Sequence, residues 1–582
     1  MPRREFRRAL PVCLLMVAAS TWLASAACAD EELPPGLFEE TAEPAIDLLW
    51  FQEPSAASPA TESSFVGQDP GGGLGLPLVE SFQKTVTSLT LLPNTVGKTP
   101  AAIFVIDQEM IRRSGAQTVP EVLRMVPGVH VANQNTVTPN VSVRGFGTGN
   151  VFFPLSARVL VLIDGRSIYD PGLGGINWML NDLVLQDIER IEVIRGPGAT
   201  VWGANAVNGV INIITKSADK TQGLLVQGLG GTEYKTIATV RYGAEVGENS
   251  HLRVFGKFRD FDDGWPTTGQ PAVDGFHDFR TGFRWDAETE SGDQFSAQGN
   301  LFDEPRSGSI TLPSDPDVLS PNLPAEYRGG YAQGRWTRTF YDDSQLTLMA
   351  IYDRCSIIYS GIDYTRNSYI LDAAYNWAWG ERHKWLVGAQ FRLDEDSTDP
   401  QTYRVYTVEY VPPSRSYNVA SWLLQDEIQL VPGSLSFIAG TKMEVNSFTG
   451  FEIQPSGRLL KTIDERRVVW AAISRAIRRP NRIDDAATGI LYLPIGPEPV
   501  LGQLVPNAQL KADALAAYEA GYRAQPADWL SWDLAAFYNV YNHLPAATFL
   551  TNTVPVTVTQ VNGIGAQSYG AELSGTVEFT DR

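Results

Sequence analysis

Asp187-Ile-Glu-Arg-Ile-Glu-Val-Ile-Arg-Gly-Pro-Gly-Ala-Thr-Val-Trp-Gly-Ala-Asn-Ala-Val-Asn-Gly-Val-Ile-Asn-Ile-Ile-Thr-Lys216 decides how this chain is read, because two apolar runs rich in β-branched residues flank a glycine-dense bend. Ile188 to Ile194 and Val207 to Thr215 suit strands, while Gly196-Pro-Gly198 and Gly203 suit a tight turn. A phosphate loop is the competing reading, since Gly198 to Gly203 has G-x-x-x-x-G spacing. It fails at Ala204-Asn205, where a lysine and a hydroxyl residue are required, and at Val207 to Thr215, which is β-branched where that loop needs a helix. The stretch therefore reads as strand, tight loop, strand.

Upstream the pattern is α/β. Ala102-Ile-Phe-Val-Ile106 reads as a strand, and Asp107 caps a short helix to Arg113. A second helix starts at Thr118, where Thr118-x-x-Glu121 has the form of a capping box and Pro120 sits in the first turn; it stops at Pro127-Gly128.

Arg3, Arg4, Arg7 and Arg8, an apolar run from Leu10 to Ala24 and Ala27-Cys-Ala29 make a secretory signal over residues 1–29, with the mature chain starting near Asp30. Residues 30–84 are rich in Pro, Ala, Ser, Gly and acidic side chains and read as a flexible leader. Removing the signal leaves a net charge of about -23, from 46 less 4 basic and 66 less 1 acidic residues, which disfavours nucleic acid as a partner. Beyond the signal only Cys355 remains, and the five histidines are scattered, so neither a disulfide framework nor a metal site is expected. No nucleophile–base pair is apparent either, so neither catalysis nor a cofactor is expected. After the signal, no window approaches the run of about 18 apolar residues that a spanning helix needs. A membrane protein here has to be a barrel.

From about Gln222 onward apolar and polar residues alternate. Tyr369, Leu371, Ala373, Tyr375, Trp377 and Trp379 fall on one face, with Ser368, Asp372 and Asn376 on the other. Trp385, Val387, Ala389 and Phe391, and later Trp532, Leu534, Ala536 and Tyr538, repeat the pattern. One face suits lipid and the other water. A soluble sandwich also alternates, but it buries its apolar face and rarely bounds strand after strand with Trp and Tyr. Long connections (303–328, 395–415, 478–511) take turns with short ones (380–382, 432–433, 464–465, 526–528), the rhythm of outer loops and periplasmic turns. This gives about sixteen strands, against about 22 in plugged transporters. The expectation is a barrel about three hairpins short, through fragmentation or truncation, unless strands lie in segments such as 405–410 and 554–561.

The 187–216 stretch closely resembles the signature of the plug domain of TonB-dependent outer-membrane receptors. The resemblance continues through Asn140-Val-Ser-Val-Arg-Gly-Phe-Gly147, Arg158-Val-Leu-Val-Leu-Ile-Asp-Gly-Arg-Ser-Ile-Tyr169 and Pro127-Gly-Val-His-Val131. It implies an α/β plug over 85–217 inside an antiparallel transmembrane β-barrel over 218–582. It also implies uptake of a scarce bulky nutrient, such as a ferric siderophore or related metal chelate, driven by TonB with ExbB and ExbD. A surface signalling or adhesion protein on the same fold, and a truncated non-functional receptor, are the alternatives.

In that family, arginines at the positions of Arg144 and Arg195 meet glutamates on the inner wall, and the matching motifs here are Tyr518-Glu-Ala-Gly-Tyr-Arg523 and Tyr569-Gly-Ala-Glu-Leu573. Parity agrees: with Tyr518 and Tyr522 toward lipid, Glu519 faces inward, and with Tyr569 and Leu573 outward, so does Glu572. The resemblance further requires a segment that adds a strand to TonB; Thr85, Val86, Thr87, Ser88 and Leu89 are the candidate, although they depart from the usual acidic-Thr-x-x-Val form and also suit a first plug strand. Ligand contacts are expected from the outer-loop residues Tyr403, Tyr406 and Tyr410 and from Asn150, Phe152 and Phe153 at the plug apex.

Overall fold

The computed structural model describes residues 84–577, apart from 90, 92–93, 134–138, 147–154, 265–273, 310–321, 360–361, 401–406, 494–499 and 551–554. Residues 1–83, where the signal and leader are expected, and Asn150, Phe152, Phe153, Tyr403 and Tyr406 lie outside the described residues.

The α/β part is built on four strands, β1 (Ala102–Asp107), β2 (Val159–Ile163), β3 (Ile188–Arg195) and β4 (Gly209–Thr215). Their order is β1-β3-β4-β2, with the short strand Arg166–Ser167 beyond β2. β3 runs antiparallel to both neighbours, pairing Val193 with Phe104 and with Ile211, whereas β4 and β2 are parallel. The opening stretch is thus the central hairpin; β2 is apolar along its length, and β3 and β4 are buried over most of theirs, because both faces are covered. Helix α1 (Gln108–Ser114) starts where Asp107 accepts a hydrogen bond from Met110 N and ends at Gly115, whose φ of 70° favours a residue without a Cβ. Helix α2 (Val119–Leu123) starts at Thr118, which accepts from Glu121 N. The capping box is not completed: the Glu121 carboxylate accepts from Gln117 N at 2.8 Å, one residue before the cap, and from the Tyr234 hydroxyl.

The rest is one nineteen-stranded sheet. Three of its strands, Thr407–Tyr410, Ala487–Leu493 and Val500–Val505, are short and sit in long loops; sixteen strands remain as the wall. These are β5 (Gly223–Leu229), β6 (Tyr234–Gly247), β7 (Ser250–Phe261), β8 (Phe276–Glu288), β9 (Asp293–Ser309) and β10 (Asn322–Thr339). Next come β11 (Gln345–Tyr359), β12 (Ile362–Trp379), β13 (His383–Pro400), β14 (Ser414–Val431) and β15 (Leu435–Asn446). The last are β16 (Gly450–Asp464), β17 (Arg467–Arg478), β18 (Asp513–Ala527), β19 (Leu530–Leu550) and β20 (Val556–Val577). Each pairs antiparallel with the next, and all but β5 exceed the 9–11 residues that cross a bilayer. Among the described residues no pairing joins β5 to β20.

The alternation has the orientation read from it. Tyr518 is 48% exposed and Tyr569 78%, whereas Glu519 between the strand's tyrosines is 7% exposed. Trp377 and Trp385 stack across β12 and β13 at 6.1 Å between ring centroids, forming part of an outward aromatic band. Trp470 goes the other way. It is buried inward against Ala102 of the α/β part and lies over Gly521, where a Cβ would collide with the indole.

The strands run further into the long loops than alternation indicated: β9 continues to Ser309, β10 begins at Asn322, and β13 reaches Pro400. Strand structure is also present in two of the segments where alternation leaves it open, at Thr407–Tyr410 and at the start of β20 from Val556. Beyond the bilayer both faces of a strand are wet, so the period of two fades while the backbone ladder continues. The 479–511 connection also carries helix α3 (Arg482–Ala486), capped by Asn481.

Candidate functional site

Arg144 ends the short strand Pro139–Val143 with a left-handed backbone (φ 55°), and Arg195 ends β3 just before Gly196 (φ 117°). The two sharp turns aim both side chains at the wall. Arg144 Nη1 lies 2.7 Å from Glu519 Oε1 on β18, and its Nε lies 2.9 Å from Glu572 Oε1 on β20. Arg195 Nη1 lies 3.0 Å from Glu572 Oε2. All four side chains are at most 9% exposed, and Arg144 also sits 4.2 Å over the Phe537 ring. Burial works against the Arg144 charge, yet Glu519 and Glu572 outweigh it and its pKa lies above the ordinary arginine value. At Arg195 burial outweighs Glu572 and the pKa falls. The glycines matter by proximity: a Cβ at Gly128 would stand 2.8 Å from Glu572 Oε1, and one at Gly196 would strike Glu519.

Other wall cations grip the α/β part by its backbone. Arg458 donates to Pro100 O at 3.0 Å and Pro197 O at 2.8 Å, and Arg523 donates to Ala101 O at 3.0 Å and to Val96 O. Lys257 pairs with Asp182 at 2.6 Å; burial raises the Asp182 carboxyl, but Arg259 and Lys257 outweigh this and hold it at about 2.

A second charge cluster escaped the sequence reading. Asp170 accepts from Arg366 Nε at 3.1 Å, from the Tyr364 hydroxyl at 3.2 Å and from the backbone of Gly172 and Leu173. Arg166 pairs with Asp353 at 2.7 Å, and Arg366 bridges to the same carboxylate at 2.9 Å. Asp353, Ser368 and Asp394 stand opposite one another across β11, β12 and β13. Inward parity could have flagged these residues singly; only the register puts them in one row.

Thr85 to Leu89 are folded into the α/β part. Thr85 and Val86 pair with Thr95 and Asn94, Val86 and Leu89 are buried, and the Glu192 carboxylate accepts from Thr87 N and Ser88 N at 2.9 Å each and from the Ser88 hydroxyl. Strand addition at this segment would first require its release. Glu192→Ala should release it: amide exchange across 85–89 is expected to rise by about tenfold or more, since two backbone N–H groups lose a charged acceptor each. Unchanged exchange by mass spectrometry would show that Glu192 does not pin the segment.

Tyr410 is not an exposed loop tip. It is 1% exposed, its hydroxyl donates to Gly172 O at 3.3 Å, and its ring lies 6.2 Å from Tyr364. The strand Thr407–Tyr410 pairs with Ala487–Leu493, which turns the tyrosine down onto the α/β part. Among the described residues no cluster of His, Cys, Asp or Glu could hold a metal ion, and no helix is long and apolar enough to cross a membrane.

Two family models cover most of the chain. The TonB-dependent receptor plug domain matches residues 95–210, and the TonB-dependent receptor-like β-barrel matches residues 227–581. The chain belongs to the TonB-dependent receptor family. It is an outer-membrane β-barrel protein, from a family of transport receptors rather than enzymes. It is 31% identical to the vitamin B12 transporter BtuB of Vibrio cholerae over 173 residues, 30% of this chain and 27% of that one. It is 24% identical to the ferric enterobactin receptor of Pseudomonas aeruginosa over 454 residues, 66% of this chain and 59% of that one. The chain thus spans about a quarter to three-fifths of the length of these curated relatives. The siderophore receptor PirA of Pseudomonas aeruginosa shares the fold with a TM-score of 0.61 at 19% identity, covering 83% of this chain and 82% of that one. The ferric enterobactin receptor PfeA in complex with BCV-L6 has a TM-score of 0.66 at 18% identity, covering 83% and 80%. In receptor terms the four-stranded α/β unit is the plug and the sixteen-stranded sheet its wall.

Proposed function

We propose that this receptor takes up a bulky metal chelate, of the ferric-siderophore kind, across the outer membrane at the expense of energy delivered by TonB with ExbB and ExbD. Residues 85–217 act as the stopper, 218–582 as the wall, and Arg144, Arg195, Glu519 and Glu572 as the latch between them. The observation carrying this reading is the buried ion cluster of the latch. Charge pairs of this kind hold while dry and lose their advantage once water enters, which suits a stopper that must be both shut and releasable. The names of the relatives point to ferric enterobactin and cobalamin as the first compounds to try. Thr85 to Leu89, once freed from Glu192, would be the TonB-contacting strand, and the outer loops would contact ligand.

A strain lacking its own receptors and expressing this chain is expected to accumulate radio-labelled ferric enterobactin or cyanocobalamin when TonB is present, and to lose that accumulation when TonB is deleted. Binding of both compounds without TonB-dependent accumulation of either would favour the signalling alternative. Neither binding nor accumulation would remove both compounds as substrates.

A further inference from the structure

The plug is not held alike on all sides. Toward β17–β20 it is packed tightly: Ala476, Leu515, Ala517, Tyr541 and Leu544 of the wall belong to the plug's own apolar core, Phe146 stacks on Tyr541 at 4.3 Å, and the latch lies against β18 and β20. Toward β11–β15 a cavity of about 440 Å³ lies between plug and wall, bridged at β15 where Lys442 donates to Val201 O at 3.1 Å. Leu160, Leu162 and Ser167 line its plug side; Thr347, Ile370 and Ser421 are among its wall residues. The cavity has room for roughly 15 waters at bulk density. It reaches Gln294 and Gln345, at the starts of β9 and β11 beside the short turns, and extends upward to Tyr169, Pro171 and Arg392.

The Asp170 cluster lies at that upper end. Asp170 follows Tyr169 directly, and Arg392, a lining residue, pairs with Asp394 at 2.8 Å in the same charge cluster as Arg366. Helix α3 closes over it, with Arg482 N donating to Pro171 O and Ile483 N to Gly172 O, each at 3.1 Å. The passage therefore extends toward the short-turn side and is sealed toward the long loops by charge and by a strap. At the upper end Leu173 and Leu180 pack with Cys355, Ile357 and Tyr364, whereas below it the cavity replaces apolar contact, and opening concentrates there.

We propose that this cavity is the inner half of the transport route and that the Asp170–Arg366 contact is its outer gate. Polar, hydrogen-bonding solute passes between the plug and β11–β15, the flank that opens first, while the more tightly packed latch side still holds the plug to β17–β20. The proposal rests on the uptake reading above, but its test needs neither nutrient nor TonB.

Cys355, which touches Asp170, is first replaced by Ser, and single cysteines are placed at Thr347, Ser421 and Ala517. A positively charged, membrane-impermeant methanethiosulfonate is applied to isolated outer membranes, where both faces are open, and to intact cells. In isolated membranes Thr347→Cys and Ser421→Cys are expected to react while Ala517→Cys, on the packed wall, does not. In intact cells Asp170→Asn should speed labelling of Ser421→Cys by about tenfold or more, equivalent to roughly 1.4 kcal/mol taken from the closed gate. Tyr364→Phe, which removes one hydroxyl from the same carboxylate, should speed it less, and it carries the gate test if Asp170→Asn does not reach the membrane. Equal labelling on both walls, or none in the cavity, would overturn the route. Unchanged labelling in both gate variants would overturn the gate.

Discussion

Glu572→Gln should loosen the plug from the wall by about 3–5 kcal/mol, the range expected when one partner of a buried charge cluster is removed and the others are left unpaired. Glu572 is the member that serves both arginines, at 2.9 Å from Arg144 and 3.0 Å from Arg195. Glutamine keeps the shape and removes the charge. Arg195 suffers most, because burial already outweighs its partner, and beyond Glu572 its guanidinium donates to Pro127 O at a long 3.4 Å. Glu519→Gln should cost less, since Arg144 keeps Glu572. Hydrogen exchange over 139–146 and 188–198 in purified receptor measures this directly. A loss below about 1 kcal/mol, the scale of an exposed pair, would mean the cluster does not hold the plug.

Gly196→Ala is the second large effect, expected to cost about 3 kcal/mol or more through two additive causes, a strained backbone and a displaced carboxylate. Its φ of 117° is one that side-chain-bearing residues rarely adopt. A methyl there would meet the Glu519 carboxylate and stand 3.0 Å from Arg144 Nη1, so the ion pair itself has to move. Gly115→Ala is the control. It also has positive φ, 70°, but a Cβ there meets nothing within 4 Å, so backbone strain alone should cost about 1–2 kcal/mol. Equal destabilisation of the two, by the same exchange measurement, would show that Gly196 matters for its backbone and not for its nearness to the latch.

Much of the architecture was legible because it rests on local pattern. The 187–216 stretch is the central hairpin of the plug, Asp107 and Thr118 cap helices, and the alternation of Tyr518 with Glu519 gives the wall its two faces. The Asp170 cluster was not legible. Asp170 of the plug is far in the chain from Asp353, Arg366 and Asp394 of the wall, and they meet through register and through the plug's orientation in the lumen. Trp470 shows the same limit, since nothing in its own strand distinguishes a lipid-facing tryptophan from one turned inward over Gly521.

By itself, then, the amino-acid sequence determined the α/β stopper, the two-faced strands and the turns joining them, because period and turn chemistry act over a few residues. Tertiary structure decided which charges pair, that Tyr410 and Thr85 to Leu89 are folded inward, and that one flank of the plug is packed while the other borders a cavity. Those outcomes depend on how a rigid plug fits a wall of fixed register, a long-range match of shape and charge that no short segment encodes.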